Sequence, residues 1–311
     1  MPSIDPILQQ VLDVAPFRLT PADGPNVARK LFADLPRPAL HPEVRSEDRQ
    51  VAGEAGDIPI RIYWPAQHES SSPVVLFFHG GGFAVGDLDT YDNQARQHAA
   101  DAEAIVVAVE YRLAPEEPYP AAVQDVWAVT RWVGEHAGEF GGDPSRLAVA
   151  GDSAGGNLAA VVAQMARDEG GPALVFQLLW YPAITSDPTL PSFTENADAP
   201  ILDTAAVDGF TAWYAGHLDL SDLAALPATL APERAASLEG LPPAYVAVAG
   251  HDPLRDGGRW YAELLEAAGV PVTYDNAEDL VHGYLAFAGL VPATTEAKDR
   301  GMAALRRALH G

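Results

Sequence analysis

Apolar residues in this chain fall into short, nearly continuous runs separated by longer segments of mixed character. Residues 74–78 (VVLFF), 104–109, 147–150, 175–179 and 244–249 are such runs, each of strand length. Strands without alternation are buried on both faces, the pattern of a parallel sheet. Residues 272–275 predict one more strand. Upstream, 44–52 and 58–64 predict an antiparallel pair joined by GEAGD. Helical spacing covers 123–135, the stretch from Asn157 onward, 256–268 and 296–309, with two short helices near 6–12 and 27–35 set apart by prolines. Strands alternating with helices give an α/β fold with a mostly parallel, eight-stranded sheet flanked by helices. Residues 185–240 break that rhythm: they are polar, proline-bearing and helical, with no clear strand. An insertion of this kind between core strands predicts a lid or cap over a site.

Composition narrows the classes of function. The chain has 311 residues, 48% of them hydrophobic, enough for one sizeable core with an accessory layer. No run is long enough to span a bilayer. The first residues lack early Lys or Arg and do not read as a secretory signal. There is no cysteine, which removes disulfides, thiolate metal sites and cysteine nucleophiles. Forty-three acidic against nineteen basic residues leave a net charge of −24. Such a surface repels nucleic acid and anionic membranes, so neither is an expected partner. Cytoplasmic residence is the expectation.

The chemistry concentrates at one corner. Gly151-Asp152-Ser153-Ala154-Gly155 matches G-x-S-x-G and lies between an apolar strand and a helix. Glycines make so tight a turn possible, and the turn leaves the serine exposed at a helix N-terminus, where negative charge is favoured. A second apolar strand ends in His79-Gly80-Gly81-Gly82. Glycines there let backbone N–H groups of Gly81 and Gly82 join that of Ala154 around an oxyanion. His79 and Gly80 are expected to brace this loop. A serine hydroxyl needs a base, and the base an orienting acid. Of nine histidines, His282 and His251 each follow a predicted strand. Asp252 stands at the C-terminal end of a strand, a usual site position in open α/β sheets. His251 is the rival base, although adjacent residues seldom face each other, which argues against its being oriented by Asp252. Asp256 is the rival acid, read more simply as a helix N-terminal carboxylate, and Asp279 a loop charge. Phe83, Phe210, Trp213 and Tyr214 are expected near the cleft, where they would shape a substrate pocket or pack the cap helix on the body.

HGGG at 79–82, YRLAPE at 111–116, GDSAGGNLA at 151–159, GLPPAYVAVAGHDPLRD at 240–256 and VHGY at 281–284 occur in order. In these motifs, over nearly its whole length, the chain resembles the bacterial hormone-sensitive-lipase-like esterases (family IV) of the α/β-hydrolase superfamily. The resemblance implies carboxylic ester hydrolysis with Ser153 as nucleophile, His282 as base and Asp252 as its partner. It implies an oxyanion hole from Gly81, Gly82 and Ala154, no cofactor or metal, and short acyl chains. It implies a cap from 1–45 and 185–240 over a catalytic core of 46–184 and 241–311, often in a homodimer. Gly257 departs from the glutamate common in the family, and Tyr284 from its phenylalanine. His251 occupies a variable position beside the acid. None of these removes a catalytic part. Deacetylase, lactonase or amidase chemistry uses the same machinery, and a ligand-binding protein could keep the fold without catalysis.

Overall fold

The structure is a computed structural model that describes residues 2–67, 71–185 and 187–311. Two short helices open the chain, α1 (Pro6–Val14) and α2 (Pro25–Ala33). Asp5 caps α1 by accepting from the N–H groups of Ile7 and Leu8, and proline stands in the first turn of both helices, where a missing N–H costs nothing. Then come β1 (Arg45–Gly53), β2 (Gly56–Trp64), β3 (Ser72–Phe78), α3 (Asp92–Ala102), β4 (Ile105–Val109), α4 (Ala121–His136) and β5 (Gly142–Asp152). After the turn at Ser153 follow α5 (Ala154–Asp168), β6 (Leu174–Trp180), α6 (Pro191–Glu195), α7 (Thr204–Ala215), β7 (Ala244–His251), α8 (Arg255–Ala267), β8 (Val272–Val281) and α9 (Pro292–His310).

All eight strands join one sheet in the order β1-β2-β4-β3-β5-β6-β7-β8. β1 pairs antiparallel with β2, in register from Arg45 opposite Trp64 to Gly53 opposite Gly56, and β2 pairs antiparallel with β4. From β4 to β8 every pairing is parallel. Parallel strands bring all their C-terminal ends to one edge, so the residues after β3, β5, β7 and β8 meet there. Every residue of β3 is buried, as its unbroken apolar run requires. One face of the sheet is packed by α4, α5 and α8, the other by α3 and α9. At Gly301 of α9 an added Cβ would stand 2.2 Å from the Trp180 ring, so the absent side chain sets how closely this helix lies on the sheet.

The expected strands are all present, and the differences lie at the ends. β8 runs six residues past the expected Asp275, through the polar sequence NAEDLV of an edge strand. α5 starts at Ala154, three residues before the expected Asn157, because its first turn is glycine-rich yet buried. The helix α3 is not predicted by apolar periodicity. Its buried positions are Ala95, Gln97, His98, Ala99 and Ala102, too small or too polar to write a hydrophobic stripe.

Among its described residues, the insertion after β6 contains α6 and α7 and no strand beyond a single bridge between Ile201 and Arg18. That bridge joins it to the N-terminal segment, where Leu19 N–H donates to Ile201 O at 2.8 Å and Arg18 pairs with Asp203. The two segments expected to form a cap are therefore in contact; residues 1 and 186 of those segments lie outside the described residues. Among the described residues no helix is long and apolar enough to cross a membrane.

Candidate active site

Ser153 sits between β5 and α5 with φ 55° and ψ −118°, a conformation that a non-glycine residue holds only at a cost of about 1–3 kcal/mol. The surroundings impose it. Ser153 N–H donates to Trp180 O at 2.9 Å, and its carbonyl accepts from Asn157 and Ala183 N–H at 3.1 and 3.0 Å. Both backbone groups are fixed, and the side chain is left at the corner. The flanking glycines are required by close approach rather than by dihedral angle. A Cβ on Gly155 would lie 1.9 Å from Phe78 O, and one on Gly151 would lie 2.2 Å from Gly155 O. Gly155→Ala should therefore destabilise the fold by at least about 3 kcal/mol despite the roughly 1 kcal/mol gain in helix propensity, as read by urea unfolding. A variant as stable as the parent would contradict this packing.

His282 follows β8, and Asp252 follows β7. Nδ1 of His282 is 2.7 Å from Asp252 Oδ2, and its Nε2 is 3.0 Å from Ser153 Oγ. A carboxylate only accepts, so Nδ1 carries the hydrogen, and Nε2 of the neutral ring is left to accept from the serine hydroxyl. Asp252 is fully buried, and its other oxygen takes the Leu254 N–H at 2.8 Å. The insertion also holds this loop: Asn196 Nδ2 donates to Asp252 O at 3.1 Å and Ser192 Oγ to Pro253 O at 2.7 Å. The edge of the Tyr181 ring packs on His282, centroids 4.9 Å apart.

After β3, the loop His79–Gly82 turns under Ser153. Gly81 and Gly82 have φ of 107° and 60°, in the left-handed region open to glycine. Among the described residues, the N–H groups of Gly81, Gly82 and Ala154 have no protein acceptor. The His79 ring stacks on Tyr111 at 4.2 Å, its Nδ1 donates to Gly80 O at 2.8 Å, and Tyr111 OH donates to His79 O at 2.7 Å. Complete burial pushes the imidazole down to about 4, so it stays neutral and braces the loop.

The rivals are elsewhere. His251 neighbours Pro2 and Asp279, and burial lowers its pKa. Asp256 accepts from Ser192 N–H at 2.9 Å and pairs with Arg255 at 2.8 Å in the first turn of α8. Gly257 faces Thr185, whose methyl carbon would be 3.1 Å from an added Cβ. Tyr284 is wholly buried between Trp180 and Tyr181.

A cavity of about 70 Å³ opens on Ser153 and Ala154. Gly82, Phe83, Phe210, Tyr214 and a set of leucines line it. Phe83 and Tyr214 stack at 3.8 Å, and Phe210 covers Gly82. Trp213 is the exception among the four expected pocket residues: it is absent from the wall. At about 100° per residue, Val207, Phe210, Thr211 and Tyr214 share one face of α7, while position 213 falls to one side of it. Trp213 meets the Phe210 ring edge-on instead. Among the described residues no cluster of three or more His, Asp or Glu side chains could hold a metal ion.

The sequence leaves supporting groups unmarked, both in the insertion and inside the pentapeptide. Asn196 lies in the insertion, 56 residues from the loop it holds, with no motif to mark it. Asp152 sits inside the pentapeptide at a position the motif leaves open, and its carboxylate takes the Gly80 N–H at 2.9 Å.

Residues 75–286 match a family with the α/β hydrolase fold. The chain belongs to the hormone-sensitive-lipase-like α/β hydrolases. It is 60% identical over 312 residues to the esterase LipI of Mycobacterium tuberculosis, covering 100% of this chain and 97% of that protein. It is 59% identical over 311 residues to the carboxylesterase NlhH of the same species, covering 99% and 97%. The crystal structure of DphMB1 superposes with a TM-score of 0.94 at 62% identity, over 99% of this chain and 100% of that one.

Proposed function

We propose that this hydrolase is a serine carboxylesterase acting on small esters with short to medium acyl chains. The observation that carries the reading is the His282 ring, 3.0 Å from Ser153 Oγ on one side and 2.7 Å from Asp252 on the other. His282 takes the serine proton as Oγ attacks the ester carbonyl. The tetrahedral oxyanion is held by the N–H groups of Gly81, Gly82 and Ala154, each such donor contributing roughly 3 kcal/mol to the transition state. His282 then protonates the leaving alcohol, and water releases the acid by the same route. Relatives named esterase and carboxylesterase at about 60% identity support this chemistry.

In this reading residues 1–45 and 185–240 form a cap over the core of 46–184 and 241–311, and the cap sizes the acyl pocket. The apolar lining and small volume favour soluble esters over emulsified fat. Initial rates on p-nitrophenyl esters from acetate to palmitate test it. The account expects the highest kcat/KM among the short esters. Faster turnover of palmitate than of butyrate would overturn the substrate class, and no turnover of any ester by folded protein would overturn the activity. Phe210→Ala should raise the octanoate-to-butyrate ratio of kcat/KM by roughly tenfold, because the ring fills the space above Gly82. An unchanged ratio would remove Phe210 from the acyl pocket.

A further inference from the structure

We propose that Asp152 is a positioning residue for the oxyanion loop, its carboxylate clamping Gly80 to the nucleophile turn so that the next two N–H groups face Ser153. This rests on the ester-hydrolase reading and adds to it a residue outside the triad.

β3 and β5 run parallel, and their ladder ends at Phe78 opposite Gly151. Beyond that rung the two strands become the oxyanion loop and the serine turn, and backbone pairing stops. Asp152 supplies the next link through its side chain: Oδ1 accepts from Gly80 N–H at 2.9 Å. Oδ2 accepts from Tyr91 OH at 3.3 Å. Two donors thus converge on a group that only accepts when ionised, and such bonds are stronger than neutral ones. The fit is close, since a Cβ on Gly80 would stand 2.5 Å from Asp152 Oδ2 and 2.9 Å from Tyr91 OH. The side chain is buried and takes no part in the triad, whose own carboxylate is Asp252. A buried carboxylate is costly unless its bonds matter.

The groups around it leave its charge to be set by that balance. Burial pushes the Asp152 carboxyl up to about 7, against the pull of Gly80, Tyr91 and His282. Tyr91, Tyr111 and Tyr181 all feel its charge and are all raised well above the usual tyrosine range by burial. His79 is held neutral. His282 also faces it, and its charge lowers the Asp152 pKa. As pH falls through about 7 the Asp152 carboxylate takes a proton and its hold on Gly80 weakens, so kcat should fall on that limb.

The experiment compares wild type, Ser153→Ala and Asp152→Ala on p-nitrophenyl butyrate from pH 5 to 9. It also measures affinity for a trifluoromethyl ketone, which forms the tetrahedral adduct. Asp152→Ala, which leaves the Gly80 N–H without its acceptor, is expected to lower kcat roughly 10- to 100-fold with KM changed less than about twofold. Its ketone affinity should fall in step with kcat/KM, and its acid limb should lack the ionisation assigned to Asp152. If the folded variant keeps kcat within threefold, or shares wild type's acid limb, Asp152 does not position the loop. If Asp152→Ala does not fold, Tyr91→Phe takes its place: losing a donor to the carboxylate should move the acid limb of kcat to higher pH, and an unmoved limb overturns the proposal. Failure of the esterase reading itself is separate, because wild type would then match Ser153→Ala.

Discussion

Replacing Ser153 with alanine is expected to lower kcat on p-nitrophenyl butyrate by about a million-fold while leaving the protein folded. The size follows from the geometry. Removing Oγ leaves His282 with no proton to take and the carbonyl with no attacking atom, so only the loop N–H groups and the pocket remain. Those alone give a residual rate above water. The substitution removes one atom from a corner whose backbone bonds run through Trp180, Asn157 and Ala183 and do not involve the hydroxyl. The fold should therefore be kept, and the strained φ of 55° persists because those backbone bonds hold it. Parallel rate and thermal-melting measurements check both halves. Activity within tenfold of wild type would mean that another residue attacks.

Asp252→Asn should cost about four orders of magnitude in kcat, the second-largest loss, for a reason specific to this site. The Leu254 N–H requires an acceptor at Oδ1. That fixes the amide with its oxygen toward Leu254 and its Nδ2 toward His282. Nδ2 is a donor, so His282 Nδ1 must then accept, and the ring proton moves to Nε2. A hydrogen on Nε2 faces Ser153 Oγ at 3.0 Å, and the base is occupied. The test is kcat of the purified variant with its Tm. A loss under a hundredfold would mean that Asp252 only shapes the loop.

Much of this arrangement is legible in the sequence. Ser153 and Asp252 stand within three residues of an apolar run, His282 follows the last predicted strand beyond a polar stretch, and a parallel sheet brings those ends to one edge. The glycines proposed for the oxyanion hole are legible because positive φ and close approach admit few other residues. What was not readable depends on contacts between distant segments. α3 buries alanines and polar side chains, which leave no stripe. Asn196 and Ser192 act through hydrogen bonds to carbonyls some 60 residues away, and nothing in their own neighbourhood marks them. By aromatic character and place in the insertion alone, Trp213 reads like Phe210 and Tyr214. Helical geometry separates them, since three residues on from Phe210 points to one side of the cavity and four residues on points into it.

The central claim is that Ser153 attacks an ester carbonyl from within the His282–Asp252 relay. The most direct test is titration with diethyl p-nitrophenyl phosphate, followed by peptide mass mapping. The account predicts one equivalent of p-nitrophenol released per chain, complete loss of esterase activity, and a single diethylphosphoryl group on Ser153. Loss of activity with the adduct on another residue, or a folded protein that releases no p-nitrophenol, would contradict it.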